Sequence, residues 1–165
     1  MSKLYIKQKV FSISGEFSVQ DDHENVRYII EGSFLSLPKK FSVQDTAGNE
    51  VALITKRMFQ FFPKFDVTVH DEKVFTIAKQ LSFFTAKYSI EGEELTVSGD
   101  WWDKSFAVER HGEVVANITE KWLTWGDSFE IEVLDETLEQ TIIALVVAID
   151  CVKHAEKSSG ASMVD

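Results

Sequence analysis

The chain predicts a mainly β protein with one helix: roughly twelve antiparallel strands, arranged as repeated hairpins in a barrel closed around a central hydrophobic C-terminal α-helix. Three observations predict it. An aromatic returns at Phe17, Phe41, Phe65, Tyr88, Phe106 and Phe129, spaced 24, 24, 23, 18 and 23 residues apart. Each aromatic opens a run that alternates apolar and polar residues, the period-2 pattern of a half-buried strand. Near the end, Thr141-Ile-Ile-Ala-Leu-Val-Val-Ala-Ile149 presents no polar face.

The repeating unit reads as a β-hairpin. Phe17-Ser-Val-Gln20 is followed by Val26-Arg-Tyr-Ile-Ile30, and Phe41-Ser-Val-Gln-Asp45 by Val51-Ala-Leu-Ile-Thr-Lys56. Phe65-Asp-Val-Thr-Val69 precedes Val74-Phe-Thr-Ile-Ala-Lys79, and Phe106-Ala-Val-Glu-Arg110 precedes Val115-Ala-Asn-Ile-Thr-Glu120. Tyr88-Ser-Ile90 with Leu95-Thr-Val97 is a shortened copy. The centres carry turn residues, as in Thr46-Ala-Gly-Asn49 and His111-Gly112. Between hairpins lie Phe34-Leu-Ser-Leu-Pro-Lys-Lys40, Phe59-Gln-Phe-Phe-Pro-Lys64, Leu81-Ser-Phe-Phe-Thr-Ala-Lys87 and Trp122-Leu-Thr-Trp-Gly-Asp127. Pro38 and Pro63 hold equivalent places there, ending strands rather than interrupting them. Hairpin halves plus linking strands give the count of about twelve. A sheet that large has exposed edges, and closure into a barrel removes them.

Eight strands enclose little more than their own side chains, so about twelve leave a lumen to be filled. The apolar run Ile142–Ile149 is far shorter than the ~20 residues that span a bilayer, so it reads as the plug of that lumen. A buried strand is the alternative for so β-branched a run. Asp135, Glu136 and Glu139 at its start, and Lys153 and His154 past its end, match the helix dipole, and Thr137 with Gln140 fits a capping box. Asp150 interrupts the apolar helix, where a lone buried charge would be costly; it is expected at the barrel mouth or paired with a base. Residues 1–153 form one domain and 154–165 a flexible tail.

Composition supports one domain: 165 residues with 44% hydrophobic content can bury a core. A net charge of −10 argues against a nucleic-acid partner. Residues 1–64 carry nine basic against seven acidic residues and 65–165 eight against twenty, so the halves differ at +2 and −12. Cys151 is the single cysteine, which excludes an intrachain disulfide and fits a reducing, cytoplasmic setting. Met1-Ser-Lys-Leu-Tyr-Ile-Lys-Gln-Lys9 lacks the apolar core of a signal peptide, and no transmembrane segment is expected. Asn117-Ile-Thr119 matches a glycosylation acceptor but reads as a coincidence within a strand.

Candidate chemistry is sparse. His23, His70, His111 and His154 have no ligand-like spacing, so no metal is expected. Glu91, Glu93 and Glu94 read as a solvated turn; Asp100 and Asp103 around Trp101-Trp102 read as turn carboxylates beside core aromatics rather than a sugar site. No phosphate loop, nucleophile elbow or Cys/His pair is found, so neither catalysis nor a cofactor is expected. One basic pattern stands out. Lys40, Lys64 and Lys87 each precede a repeat aromatic, which puts them on one rim with Lys39, while Lys56 and Arg57 lie nearby in sequence. The functional reading of Lys39, Lys40, Lys64 and Lys87 is a weak site for anionic headgroups; the simpler one is that rim lysines discourage strand pairing.

Several stretches carry a resemblance to a known family: Leu4-Tyr-Ile-Lys-Gln-Lys9, Asp45 with Gly48-Asn-Glu-Val-Ala52, Phe62-Pro-Lys64, Gly99-Asp-Trp-Trp-Asp103, Lys121-Trp-Leu-Thr-Trp-Gly-Asp-Ser-Phe-Glu130 and Ala148-Ile-Asp-Cys-Val152. Over residues 3–153 the chain resembles a bacterial member of the LURP-one-related family, with the tubby C-terminal-like fold. The resemblance implies a twelve-stranded barrel around a hydrophobic helix, shared with tubby proteins and more distantly with phospholipid scramblases. Tubby domains bind phosphoinositide headgroups through a basic pocket, whereas most LURP-one-related proteins have no assigned activity. The expected function is a non-enzymatic cytosolic domain, peripheral at a membrane, that engages anionic lipid. A protein-interaction scaffold without a lipid ligand is the alternative. An enzyme or small-ligand barrel is disfavoured because the helix fills the lumen.

Overall fold

A computed structural model describes residues 1–8, 16–33, 39–58, 64–80, 87–92, 95–100, 105–123 and 126–162. Twelve strands run in chain order: β1 Ser2–Gln8, β2 Glu16–Asp21, β3 Val26–Ser33, β4 Lys40–Asp45, β5 Glu50–Lys56 and β6 Lys64–Val69, then β7 Glu72–Gln80, β8 Lys87–Gly92, β9 Leu95–Asp100, β10 Ser105–Arg110, β11 Glu113–Leu123 and β12 Gly126–Val133. A 3₁₀ turn, Glu136–Leu138, then leads into α1, Glu139–Ser162.

The strands form one antiparallel sheet in the order β8-β7-β6-β5-β4-β3-β2-β1-β12-β11-β10-β9. Sequence neighbours pair throughout, and β1 lies between β2 and β12, with Leu4 opposite both Asp21 and Ile131. The order therefore returns on itself everywhere except between β8 and β9, where no ladder forms among the described residues. The expected closure into a barrel is not seen among the described residues: the strands form a single sheet whose two end strands, β8 and β9, are consecutive in the chain. The count of twelve also has a different origin from the one expected. Hairpin halves supply ten strands and β1 and β12 the rest, while most of the linking stretches (34–38, 59–63 and 81–86) lies outside the described residues.

The repeat persists below the level of strands. Four hairpins carry a register shift at the same place, after Val19, Val43, Val67 and Val108, two residues beyond the repeat phenylalanine. A bulge adds local twist, so four bulges in register bend the sheet coherently around its contents. The contents are α1. Residues Ile142 to Ile149 are each at most 7% exposed. They share one core with Leu4, Ile6, Val19, Ile30, Val43, Ile54, Val67, Phe75, Ile77, Val108, Ile118 and Ile131 from the strands. A helix with no polar face is buried on every side, and here one sheet does the burying.

Two details differ at the ends of the helix. Asp135 caps the 3₁₀ turn that leads into it: Asp135 Oδ1 accepts from the Thr137 amide at 3.1 Å and its hydroxyl at 2.6 Å. The carboxylate is a better acceptor for the exposed first-turn amides than a hydroxyl would be. At the other end α1 continues through Ser162, so the stretch expected as a tail from His154 begins as helical backbone.

Candidate functional site

Antiparallel order sends alternate strand ends to opposite sides of the sheet. Lys40, Lys64 and Lys87 open β4, β6 and β8, so the backbone brings their positions to one side, as the repeat requires. Main-chain bonds draw further bases to the same place. The Lys56 amide donates to the Lys39 carbonyl at 3.0 Å, and the Arg57 amide to the Lys64 carbonyl at 2.8 Å. Lys39 and Lys40 are exposed, and Lys56 and Lys64 half-buried. We call this the lysine end.

Arg57 is not simply a surface base there. Its Nε and Nη2 donate to both carboxylate oxygens of Asp66, at 2.7 and 2.8 Å. Asp66 also accepts from the Thr76 hydroxyl at 2.7 Å and lies 3.2 Å from Lys73 Nζ. Burial alone would raise the Asp66 carboxyl, but Arg57, Thr76 and Lys73 outweigh it and hold it down at about 2. The cluster pins β5 to β6 and β7 on the outer face, and Thr76 is only 2% exposed. The sequence showed Asp66 as one more outward polar residue of an alternating strand. Its partners become visible only once the register pairs Asp66 with Thr76.

The opposite side carries the hairpin turns. Asp21 Oδ1 accepts from the His23 and Asn25 amides, both at 2.9 Å, and Asp45 Oδ1 from the Ala47 and Asn49 amides at the same distance. Two turns use paired left-handed residues, His70 with Asp71 and His111 with Gly112. Around these turns stand the exposed carboxylates Asp22, Glu24, Glu50, Asp71, Glu72 and Glu113.

Helix α1 connects the two ends and fixes its own direction. Tyr28, at the start of β3, donates its hydroxyl to Glu139 Oε2 at 2.8 Å, which sets the helix N-terminus at the turn end. Burial and then that carboxylate push the Tyr28 hydroxyl up to about 12. Ser2 contributes a longer bond to Glu139 at 3.5 Å, and the N-terminal amine pairs with Glu136 at 3.2 Å. At the far end the helix reaches the lysine end. Burial raises the Cys151 thiol well above its usual range; neighbouring Asp150 adds to this and Lys39 opposes it. Asp150 is half-buried and has an interaction partner.

Other candidates from the sequence do not come together. His23, His70 and His111 are exposed in three separate turns. Among the described residues no group of three or more His, Cys, Asp or Glu is placed to hold a metal. Glu93, Glu94, Trp101, Trp102 and Asp103 lie outside the described residues, and the backbone alone is described for Lys87, Glu91, Asp100 and His154. No helix among the described residues is long and apolar enough to cross a membrane.

Comparison with known proteins matches the same frame. The chain is 26% identical over 157 residues to the uncharacterised Bacillus subtilis (strain 168) protein YxjI, covering 95% of this chain and 97% of that one. The X-ray structure of an Arabidopsis thaliana protein superposes with a TM-score of 0.61 over 92% of each chain, at 16% identity, a likeness of fold. The model of the LURP-one-related family matches residues 2–150. The chain belongs to the LURP-one-related family.

Proposed function

We propose that this domain acts without catalysis, by engaging anionic phospholipid headgroups through its lysine end. The observation that carries the reading is the separation of charge along α1. Lys39, Lys40, Lys56 and Lys64 stand at one end and the turn carboxylates at the other. Such a molecule is oriented by a negative surface before contact, despite a net charge of −10. Each lysine near an anionic bilayer is worth about 1 kcal/mol, so the site is weak and salt-dependent.

The reading includes a closed barrel of the tubby C-terminal-like kind. Gly92 and Leu95 are separated by Glu93-Glu94 alone, a reach of at most about 11 Å, so β8 and β9 start as neighbours. Closure there would give the lysine end a complete rim, with Lys87 and Lys64 on strands either side of β7. It also removes the two edges of the sheet formed by the described residues. The setting is the reducing cytoplasm, with peripheral attachment. A protein scaffold is the second reading, favoured by the acidic turn end, which suits a basic partner.

Vesicle co-sedimentation tests this. Binding is expected to phosphatidylcholine vesicles carrying phosphatidylserine and not to phosphatidylcholine alone. Changing Lys39, Lys40 and Lys64 together to Glu is expected to weaken it by roughly 100-fold. Equal binding by wild type and triple variant, or none at low salt, leaves the scaffold reading in its place.

A further inference from the structure

We propose that Met1, Leu134 and Val114, at the turn end, form a docking surface for a basic amphipathic helix of a protein partner, a site separate from the lysine end. Among the described residues five large apolar side chains are exposed, and four of them, Met1, Val26, Val114 and Leu134, lie at the turn end. Scattered exposed apolar residues are ordinary on a protein surface; adjacent ones mark a contact. Three of the four are adjacent, because β12 pairs with β1 on one side and β11 on the other. Ser2 and Ala116 both face Val133, and the Leu134 amide donates to the Val115 carbonyl at 2.9 Å, so Leu134 sits between Met1 and Val114. Val133 and Val115 are buried, and their neighbours Leu134 and Val114 turn outward. The hairpin itself does not call for an apolar residue there. Val114 pairs with Glu109 just past a register shift, and in two other hairpins that place holds Glu50 and Lys73.

The border of this surface selects the partner. Glu113, Glu130, Glu132, Asp135 and Glu136 stand around it against three bases. The N-terminal amine is paired with Glu136 at 3.2 Å, Lys3 with Glu130 at 3.6 Å, and Arg110 lies opposite Glu113 in the ladder. The excess of carboxylate repels an anionic membrane and the same surface of a second copy, and it complements a basic partner. An added strand finds no edge, since β1, β12 and β11 are each hydrogen-bonded on both sides. A helix lying across the strands fits. Its apolar side chains at i, i+4 and i+7 extend over about 10.5 Å, and Met1 to Val114 is two strand spacings, about 9.5 Å. Lysines or arginines flanking that stripe meet the carboxylates.

The test uses the full chain and labelled synthetic helical peptides of about 14 residues, read by fluorescence anisotropy at about 0.15 M salt. One peptide carries leucines at i, i+4, i+7 and i+11 with lysines elsewhere; a second has the same composition with the leucines spread around the helix. The first is expected to bind roughly tenfold more tightly than the second. Val114→Ser/Leu134→Ser, and separately Glu113→Lys/Glu132→Lys, are each expected to weaken it by roughly tenfold, with thermal melts close to that of the unaltered protein. Equal binding of the two peptides overturns the proposal, because charge alone would then be read. Unchanged binding by Val114→Ser/Leu134→Ser, or no binding to the unaltered protein, overturns it as well. Sedimentation of the protein without peptide supplies the remaining outcome: a dimer abolished by Val114→Ser/Leu134→Ser assigns the surface to a second copy and overturns the helix. All of these readouts are taken without lipid, so they stand apart from the vesicle test of the lysine end.

Discussion

At the turn end of the sheet the connections are short and hydrogen-bonded to themselves, and most of the exposed charged side chains around them are carboxylates. At the lysine end the connections are mostly longer, and lysines open β4, β6 and β8. The same twelve strands supply both ends, so the contrast comes from which residue types the chain places in alternate connections. In an up-and-down sheet odd and even connections fall on opposite sides. Lysines at the starts of β4, β6 and β8, with carboxylates around the turns at the other side, separate charge across that part of the sheet.

The strongest test removes what holds the ends apart. Leu145 is fully buried at the middle of the plug. Leu145→Asp places an unpaired charge among apolar side chains, at a cost of several kcal/mol against a typical total of ~5–15. Circular dichroism and urea titration are expected to show loss of the folded state; a soluble, cooperatively melting variant would contradict the plug.

The hairpins and the plug were legible because both rest on periodicity, which one sequence displays. Alternation from Phe41 to Gln44 and the unbroken apolarity of Ile142 to Ile149 leave few alternatives. Strand order was less legible, since nothing local says that Leu4 will sit between Asp21 and Ile131. Charge was misleading when read along the chain. Halves of +2 and −12 suggest two regions, whereas the fold sorts the same residues by end, mixing Asp22 of the first half with Glu113 of the second. The Asp66 cluster depends on a register shift after Val67 that no residue pattern announces. Lys40, Lys64 and Lys87 inherit from the repeat their backbone position at the start of an even strand.

Asp66 offers the next largest effect and acts on the lysine half. Asp66→Asn leaves Arg57 and Lys73 without their carboxylate and is expected to cost about 2 kcal/mol at neutral pH. The sign with pH follows from its lowered value. A carboxyl held at about 2 instead of 3.8 stabilises the fold fully above pH 4, and that contribution is lost as pH falls through 2. Urea titrations at pH 7 and pH 2 are expected to show a gap between wild type and variant that closes at the lower pH. A constant gap would mean that packing, not charge, supports the cluster. The same variant also sharpens the contrast of ends: it releases positive charge near the lysine end, so anionic vesicles are expected to bind it more tightly, not less.

The smallest effect belongs to the turn end, where two equivalent turns solve one problem differently. Asp21-Asp-His-Glu-Asn25 and Asp45-Thr-Ala-Gly-Asn49 share the same aspartate cap and the same asparagine. Both need a left-handed residue in fourth place; Gly48 fills it at φ +86 and Glu24 at φ 65. A side chain in that region costs about 1–2 kcal/mol, while glycine loses about 0.5–1 in chain entropy. Glu24→Gly is therefore expected to stabilise by about 0.5–1 kcal/mol, and Gly48→Glu to destabilise by as much. A Cβ at Gly48 would meet nothing within 4 Å, so the second change reads backbone strain with no steric contribution. For a domain of this size each kcal/mol moves Tm by about 2–4 °C. Calorimetry of the two variants should therefore give shifts of opposite sign and similar size. Shifts of the same sign would mean that the two turns are not copies, and that Glu24 is held in place by more than the shape of its backbone.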